Sequence, residues 1–305
     1  MQVTSPPVTV EEGCDFRTHR VVACEALSRT RRGDYGDALR AAGWPRYPAE
    51  AYRTWGGYDW FVAKVGGLWD SLLAEGRPWY ITSNSDGHRH VKDRAVIDRS
   101  TFDAKGYVTP LGQSKETPPK NDFHPGEYNK TWVHAARRDA MAIFDALRSG
   151  NMFTVLGDLV DEVQLTAESD DQIAPMGSTL GLSRAGGDVT VRVALKPHTA
   201  VNYGGGIPRL HHVDLITGLI TGIAKDRDTM TNASTKVVAQ VESSGLKAAG
   251  PYRILEHTFR NVKESFYVRV RGTNAPVKEP QADSGAVNPW QDLWFYSNPI
   301  FIRLT

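Results

Sequence analysis

Apolar spacing changes texture near residue 150. Before that point, Phe61, Val62, Val65, Leu68, Trp69, Leu72 and Leu73 recur at intervals of three and four, which predicts an amphipathic helix from Asp59 to Glu75. Asp59 is the natural N-cap and Gly76 a left-handed stop. Gly66 and Gly67 interrupt the middle of this helix at about 1 kcal/mol each relative to alanine, so another backbone is expected to approach closely there. Next comes Trp79-Tyr80-Ile81-Thr82, whose aromatic and β-branched content is that of a short buried strand. Thr131 to Ala135 reads as a second strand. Asp139 to Ser149 reads as a helix with Met141, Ile143, Phe144 and Leu147 apolar and Gly150 as its stop.

Beyond Asn151 the period switches to two. Eight β-rich runs follow, beginning at Met152, Val163, Val189, Val213, Val237, Tyr252, Phe266 and Trp294, with Gly, Asn, Asp and Pro clusters between them. No long helical pattern intervenes, and an antiparallel β-sandwich over residues 151–305 is the economical reading. Val189, Val191, Val193 and Leu195 should face its core, with Thr190, Arg192 and Ala194 outward. Residues 1–150 read as an α/β portion. It opens on a loose arm from Met1 to Pro7 and a short strand at Val8 to Val10. Arg29 to Tyr58 is irregular apart from a short helix at Gly36 to Ala42, and Arg94 to Gly126 is a long polar loop.

Candidate chemistry collects where the Trp79–Thr82 strand ends. Asp86 and His88 stand two apart, so in extended chain both side chains point the same way and reach one ion or two adjacent ones. Gly87 between them allows close backbone approach, and Asp86 equally suits a turn or cap. The loop beginning at Arg94 opens beside them and is a candidate substrate-contact element. Past it, Glu127 suits a general acid/base or a partner holding His88, and Lys130 suits an anionic substrate oxygen; each also reads as a solvated surface charge. His134 reads as a satisfied core or edge histidine. His211 and His212, adjacent on a strand, should send their rings to opposite faces and not ligate together. Asn129-Lys130-Thr131 and Asn232-Ala233-Ser234 fit the glycosylation pattern.

Several stretches carry a family resemblance. They are Trp55-Gly56-Gly57, the run Val65 to Gly76, Ser85-Asp86-Gly87-His88, Pro125 to Val133, Ala146 to Asn151 and Ser297-Asn298-Pro299-Ile300. Together they resemble the carboxyl-terminal part of PHP-type (polymerase and histidinol phosphatase) phosphoesterases, closest to large bacterial members with an appended β domain. The resemblance implies a partial PHP-like (β/α) barrel followed by an antiparallel β-sandwich. It also implies a metal-dependent phosphoesterase acting on a phosphate ester through metal-activated water, with divalent Zn, Mn or Fe held partly by Asp86 and His88. Such barrels open on a strand ending in H-x-H, and His19 is the only histidine upstream of His88, so the first barrel strands are expected to be missing. A family strand ending in Glu-Gly before a histidine makes Glu12 and His19 further metal candidates. Two alternatives follow from the gap: an inactive remnant whose sandwich is a binding module, or one part of a split enzyme whose oligomer or partner chain completes the barrel.

Composition narrows the partners. With 305 residues and a net charge of +1, the chain carries no electrostatic footprint for nucleic acid or a membrane surface. No apolar run approaches membrane-spanning length, and no segment has the plan of a signal peptide, although relatives of this type are often exported. Cys14 and Cys24 are too few for a disulfide scaffold and wrongly spaced for a zinc knuckle; a single bridge and two free thiols both remain open.

Overall fold

The computed structural model describes residues 23–27, 54–84, 126–170, 172–183, 185–226, 229–282 and 288–304. The readings placed on the amino-terminal arm, the Val8–Val10 strand, the Gly36–Ala42 helix, Cys14 and the loop from Arg94 lie outside them, and of Cys24 only the backbone, in the first described strand, lies within.

The first half holds β1 (Ala23–Leu27), β2 (Thr54–Trp55), β3 (Tyr58–Asp59), α1 (Trp60–Ala63), α2 (Leu68–Leu73), β4 (Tyr80–Asn84), β5 (Asn129–Val133) and α3 (Ala140–Ser149). Strands β6 (Met152–Leu156), β7 (Val160–Ser169), β8 (Gln172–Pro175), β9 (Thr179–Leu182), β10 (Gly187–Pro197) and β11 (His212–Leu219) follow. The chain closes with β12 (Lys236–Glu242), β13 (Lys247–Ala249), β14 (Tyr252–Val262), β15 (Phe266–Thr273), β16 (Trp294–Ser297) and β17 (Ile300–Leu304). One sheet runs β13-β14-β10-β7-β8. A larger one runs β12-β11-β15-β16-β6-β5, with β17 paired to β15 and β9.

These pairings correct the expected α/β barrel. Among the described residues they are antiparallel except β1 with β4 and β9 with β17, and a β-sandwich dominates. Two local causes are visible. Gly66, at φ +74°, breaks the expected 59–75 helix into α1 and α2, too short to return a strand across a parallel sheet. The expected close approach at the glycine pair is real, since a Cβ on Gly66 would lie 3.1 Å from the Asn232 carbonyl oxygen. Secondly, α3 does not cross over. Gly150, at φ +71°, reverses the chain so that Met152 pairs with Val133, and the His134 amide donates to the Asn151 carbonyl at 2.9 Å. The helix is therefore an excursion within an antiparallel pair, and its apolar Met141, Ile143 and Phe144 are exposed. The eight-stranded sheet thus takes β5 from before residue 150 and its other strands from after it.

Alternation builds the sandwich core. Val189, Val191, Val193 and Leu195 are fully buried and Arg192 is exposed. Ala194, expected outward, is buried as well, lying in register beside the buried Ile254 of β14.

The other face of the large sheet is also covered, by residues 54–84. There β15 places Tyr267, Arg269 and Arg271 on one side, and both guanidiniums are fully buried. Asp70 of α2 accepts from Arg269 Nε at 2.9 Å and Nη2 at 2.8 Å, and from the Tyr267 hydroxyl at 3.0 Å. Arg269 also lies 4.7 Å over the Trp69 ring. Arg271 donates to Asp214 at 2.9 Å and through both Nη atoms to Glu279 at 3.0 and 2.9 Å. Register aligns a single polar row across this face: Gln240 beside Asp214, then Arg271, Tyr296, Thr154 and Thr131. The row leads from the β12 edge to β4.

His212 sits at the rim of that row. Contrary to the opposite-face expectation, His211 Nδ1 and His212 Nδ1 approach to 3.0 Å, and the two rings meet edge-on. Burial lowers the His212 pKa, with His211 and Arg271 adding to the shift while Asp214 and Glu242 oppose it. A lowered folded-state value means the unfolded chain takes up the proton first. The stabilisation is therefore complete above the ordinary histidine value and is lost as pH falls through the folded value. Urea unfolding between pH 7 and 5 should show stability falling with acid, and His212→Gln should flatten that slope by up to about 1.4 kcal/mol per pH unit, the one-proton limit. Identical slopes in the two proteins would refute it.

Candidate functional site

The site begins with β4, because Asp86 follows its last residue by two positions. Tyr80 and Ile81 are buried, and the Trp69 indole donates to the Trp79 carbonyl at 2.8 Å, tying the strand's start to α2. Burial raises the pKa of the Tyr80 hydroxyl, which donates to the Gly177 carbonyl. On one edge β1 pairs in parallel, from Ala23 with Tyr80 to Leu27 with Asn84, so the carboxyl ends of the two strands coincide. On the other edge no backbone ladder forms among the described residues. Side chains take its place. The Ile81 amide donates to Asn298 Oδ1 at 2.8 Å, and Asn298 Nδ2 donates back to the Ile81 carbonyl at 3.3 Å. The Ser83 amide donates to Thr131 Oγ1 at 2.7 Å, and that hydroxyl donates to the Ser83 carbonyl at 2.8 Å.

A cluster of buried polar side chains lies beside this strand end. Asn129 Nδ2 reaches Ser83 Oγ at 3.4 Å, while Asn129 Oδ1 is buried with no hydrogen-bond partner among the described residues. The Tyr58 hydroxyl donates to Thr154 Oγ1 at 3.1 Å, and burial pushes its pKa well up, so it stays protonated as a donor. The Tyr296 hydroxyl is likewise buried and unpartnered among the described residues, with its pKa raised by burial.

Asp86, His88, Glu12 and His19 lie outside the described residues. Glu127 and Lys130 lie within them. Glu127 is a buried carboxyl at 7% exposure, beyond a turn at Gly126, rather than a solvated charge. Lys130 is part-buried, close-paired with the Asp158 carboxylate and 5.7 Å from the Tyr203 ring centroid. Strand alternation turns Asn129 and Thr131 toward β4 and Lys130 away from it, so the structure does not bring Lys130 together with the strand end. His134 is satisfied, its Nε2 lying 2.9 Å from the Val163 carbonyl. Both glycosylation patterns place their asparagine in the interior, Asn129 at 2% and Asn232 at 8% exposure, which closes them to a glycan in the folded chain.

The residues that hold β4 were not read as functional from sequence. Their signal was present in two of the stretches that carried the family resemblance, Asn129-Lys130-Thr131 and Ser297-Asn298-Pro299. The chain matches no protein-family model and no curated protein. Among the described residues no three His, Cys, Asp or Glu side chains gather to hold a metal ion, and no helix is long and apolar enough to cross a membrane.

Proposed function

We propose that the chain is a metal-dependent phosphoesterase whose site is built at the carboxyl end of β4. One observation carries this reading: the strand leading to Asp86 and His88 is buried, laddered to β1 on one edge and clamped by Asn298 and Thr131 on the other. A strand fixed on both edges is a firm base for a carboxylate and an imidazole that must meet a common ligand.

Asp86 and His88 are the donors in this reading, with Glu12 and His19 as further candidates. A divalent Zn, Mn or Fe ion bound there supplies Lewis-acid polarisation of a phosphoryl oxygen and a hydroxide nucleophile at neutral pH. Glu127, a buried carboxyl two positions before Asn129, is the general acid/base candidate in this reading. Lys130 pairs with Asp158 and has a structural part in this reading.

The test is metal analysis of the purified protein together with hydrolysis of p-nitrophenyl phosphate and bis(p-nitrophenyl) phosphate. Near-stoichiometric Zn, Mn or Fe is expected, and Asp86→Ala should lower both metal affinity and turnover by more than about 100-fold, beyond the usual loss for an indirect partner. Protein that takes up none of the three ions and is inert toward both esters sinks the reading and favours the binding-module alternative.

A further inference from the structure

We infer that His198 is a nucleophilic histidine, held by Asp161 so that its Nε2 lone pair is free, and that it takes acyl groups from neutral activated esters. The site lies where β10 ends against the start of β7 and is independent of the metal reading.

Local register builds it. β10 and β7 pair residue for residue as far as Lys196 with Glu162, and the next pair is Pro197 with Val160, so Asp161 is the extra residue of a β-bulge. A bulge bends its strand and re-aims a side chain, and here the carboxylate meets the residue that follows β10. Asp161 Oδ1 lies 2.6 Å from His198 Nδ1, and the Lys196 ammonium stands 3.6 Å from the other oxygen. The chain beyond His198 is anchored as well: the Asn202 side-chain amide donates to the Gly157 carbonyl at 2.7 Å, and the Asn202 backbone amide donates to the Gly206 carbonyl at 2.9 Å.

The short contact fixes the tautomer. A carboxylate only accepts, so the proton of a neutral imidazole in this pair sits on Nδ1 and the lone pair on Nε2. Nε2 meets no hydrogen-bond partner among the described residues, and the side chain is 19% exposed, which opens the lone pair to a reagent. Three other described histidines are held differently. His134 uses Nε2 on the Val163 carbonyl, and His211 and His212 meet each other through Nδ1.

Charge selects the reagent. Lys196 balances Asp161, but Glu162 stands across from Lys196. An anionic donor would meet that second carboxylate, whereas a neutral ester meets no such repulsion. In the transfer Nε2 attacks the carbonyl carbon; the N–C bond forms, and the C–O bond breaks with its electron pair leaving on the alcohol oxygen. Positive charge grows on the ring, where the Asp161 carboxylate stabilises it through the Nδ1 proton. Water then hydrolyses the acyl-imidazole, releasing the acid and a proton and restoring the histidine.

Imidazole nitrogen NMR in mildly alkaline buffer reads the tautomer, and carbethoxylation by diethyl pyrocarbonate, mapped by peptide mass spectrometry, reads nucleophilicity residue by residue. His198 should be the Nδ1–H tautomer. The Asp161 side chain is 33% exposed, so its loss spares the fold. Asp161→Ala should slow carbethoxylation of His198 about 10-fold, the scale of losing the group that orients an imidazole, and leave that of His257 unchanged. With a metal chelator present, His198→Gln should remove most of the hydrolysis of p-nitrophenyl acetate.

The Nε2–H tautomer at His198 overturns the inference, as do equal carbethoxylation of His198 with and without the Asp161 carboxylate and undiminished ester hydrolysis in His198→Gln. Parallel changes at His257 assign Asp161 to general stability and overturn its positioning role. Phosphorylation of His198 by phosphoramidate faster than that of free histidine overturns the choice of a neutral donor.

Discussion

Replacing Asp70 by alanine is expected to cost the fold about 3–5 kcal/mol, the usual loss when a buried ion pair loses one partner. Asp70 is fully buried on α2 and receives four hydrogen bonds: two from Arg269, one from the Tyr267 hydroxyl and one from the Gly66 amide at 2.7 Å. Alanine leaves the Arg269 guanidinium in the interior with its charge uncompensated, and arginine cannot shed its proton. The Gly66 amide and the Tyr267 hydroxyl lose an acceptor at the same time. Urea unfolding of the single variant should show a large fall in midpoint with little change in slope. Asp70→Leu combined with Arg269→Met should recover much of the loss, because removing both charges removes the desolvation problem with them. A loss below about 1 kcal/mol in Asp70→Ala would mean that water reaches the pair, contrary to its burial.

Gly177→Ala is the second large expectation. Gly177 has φ +83°, and a Cβ there would fall 2.1 Å from the Ser149 carbonyl oxygen and 2.4 Å from the Gly150 carbonyl carbon. Both obstacles are backbone, held by the end of α3, so no side chain can swing aside. The left-handed conformation alone costs an L-residue about 1–2 kcal/mol, and overpacking adds about 1–3 kcal/mol. A loss of about 3 kcal/mol or more in unfolding free energy is expected. Gly126→Ala supplies the control, because Gly126 has φ +80° with nothing within 4 Å of the added carbon. It should lose only the conformational part. Equal losses in the two variants would show that the backbone at the end of α3 yields to the extra methyl group. Gly177 also donates to the Pro299 carbonyl at 2.9 Å and accepts from the Tyr80 hydroxyl, so its displacement would reach β4 directly.

The clash at Gly177 and the pairing of Asp70 were both invisible in the primary structure, for related reasons. Gly66 and Gly67 announced a close approach, which the Asn232 backbone provides, yet spacing alone continued the helix through them. The intervals of three and four from Phe61 to Leu73 persist across two short helices, because a helical period survives one break when the segments on either side pack on the same neighbour. The strand at β4 was legible from its aromatic and β-branched content. Its clamps were not, since Thr131 and Asn298 are ordinary polar residues until a carbonyl and an amide are placed against them. Asp86 and His88 were legible as a pair by spacing, and the described residues do not reach them.

By itself, the sequence determined what is local. Alternation set the inward faces of the sandwich strands, and side-chain caps with a following glycine set where helices begin and end: Asp59 accepts from the Phe61 amide at 2.9 Å, Asp139 from the Ala142 amide at 2.8 Å, and Gly150 closes α3. Only the tertiary structure decided which polar faces are dry. Alternation in β15 puts Arg269 and Arg271 on one side of the strand without saying whether water lies there. The cover comes from Asp70, 199 positions away, just as the partner of Ile81 comes from 217 positions away. Local spacing fixes which side chains share a face, but the energy of a buried charge or an unpaired amide depends on what the folded chain brings against it.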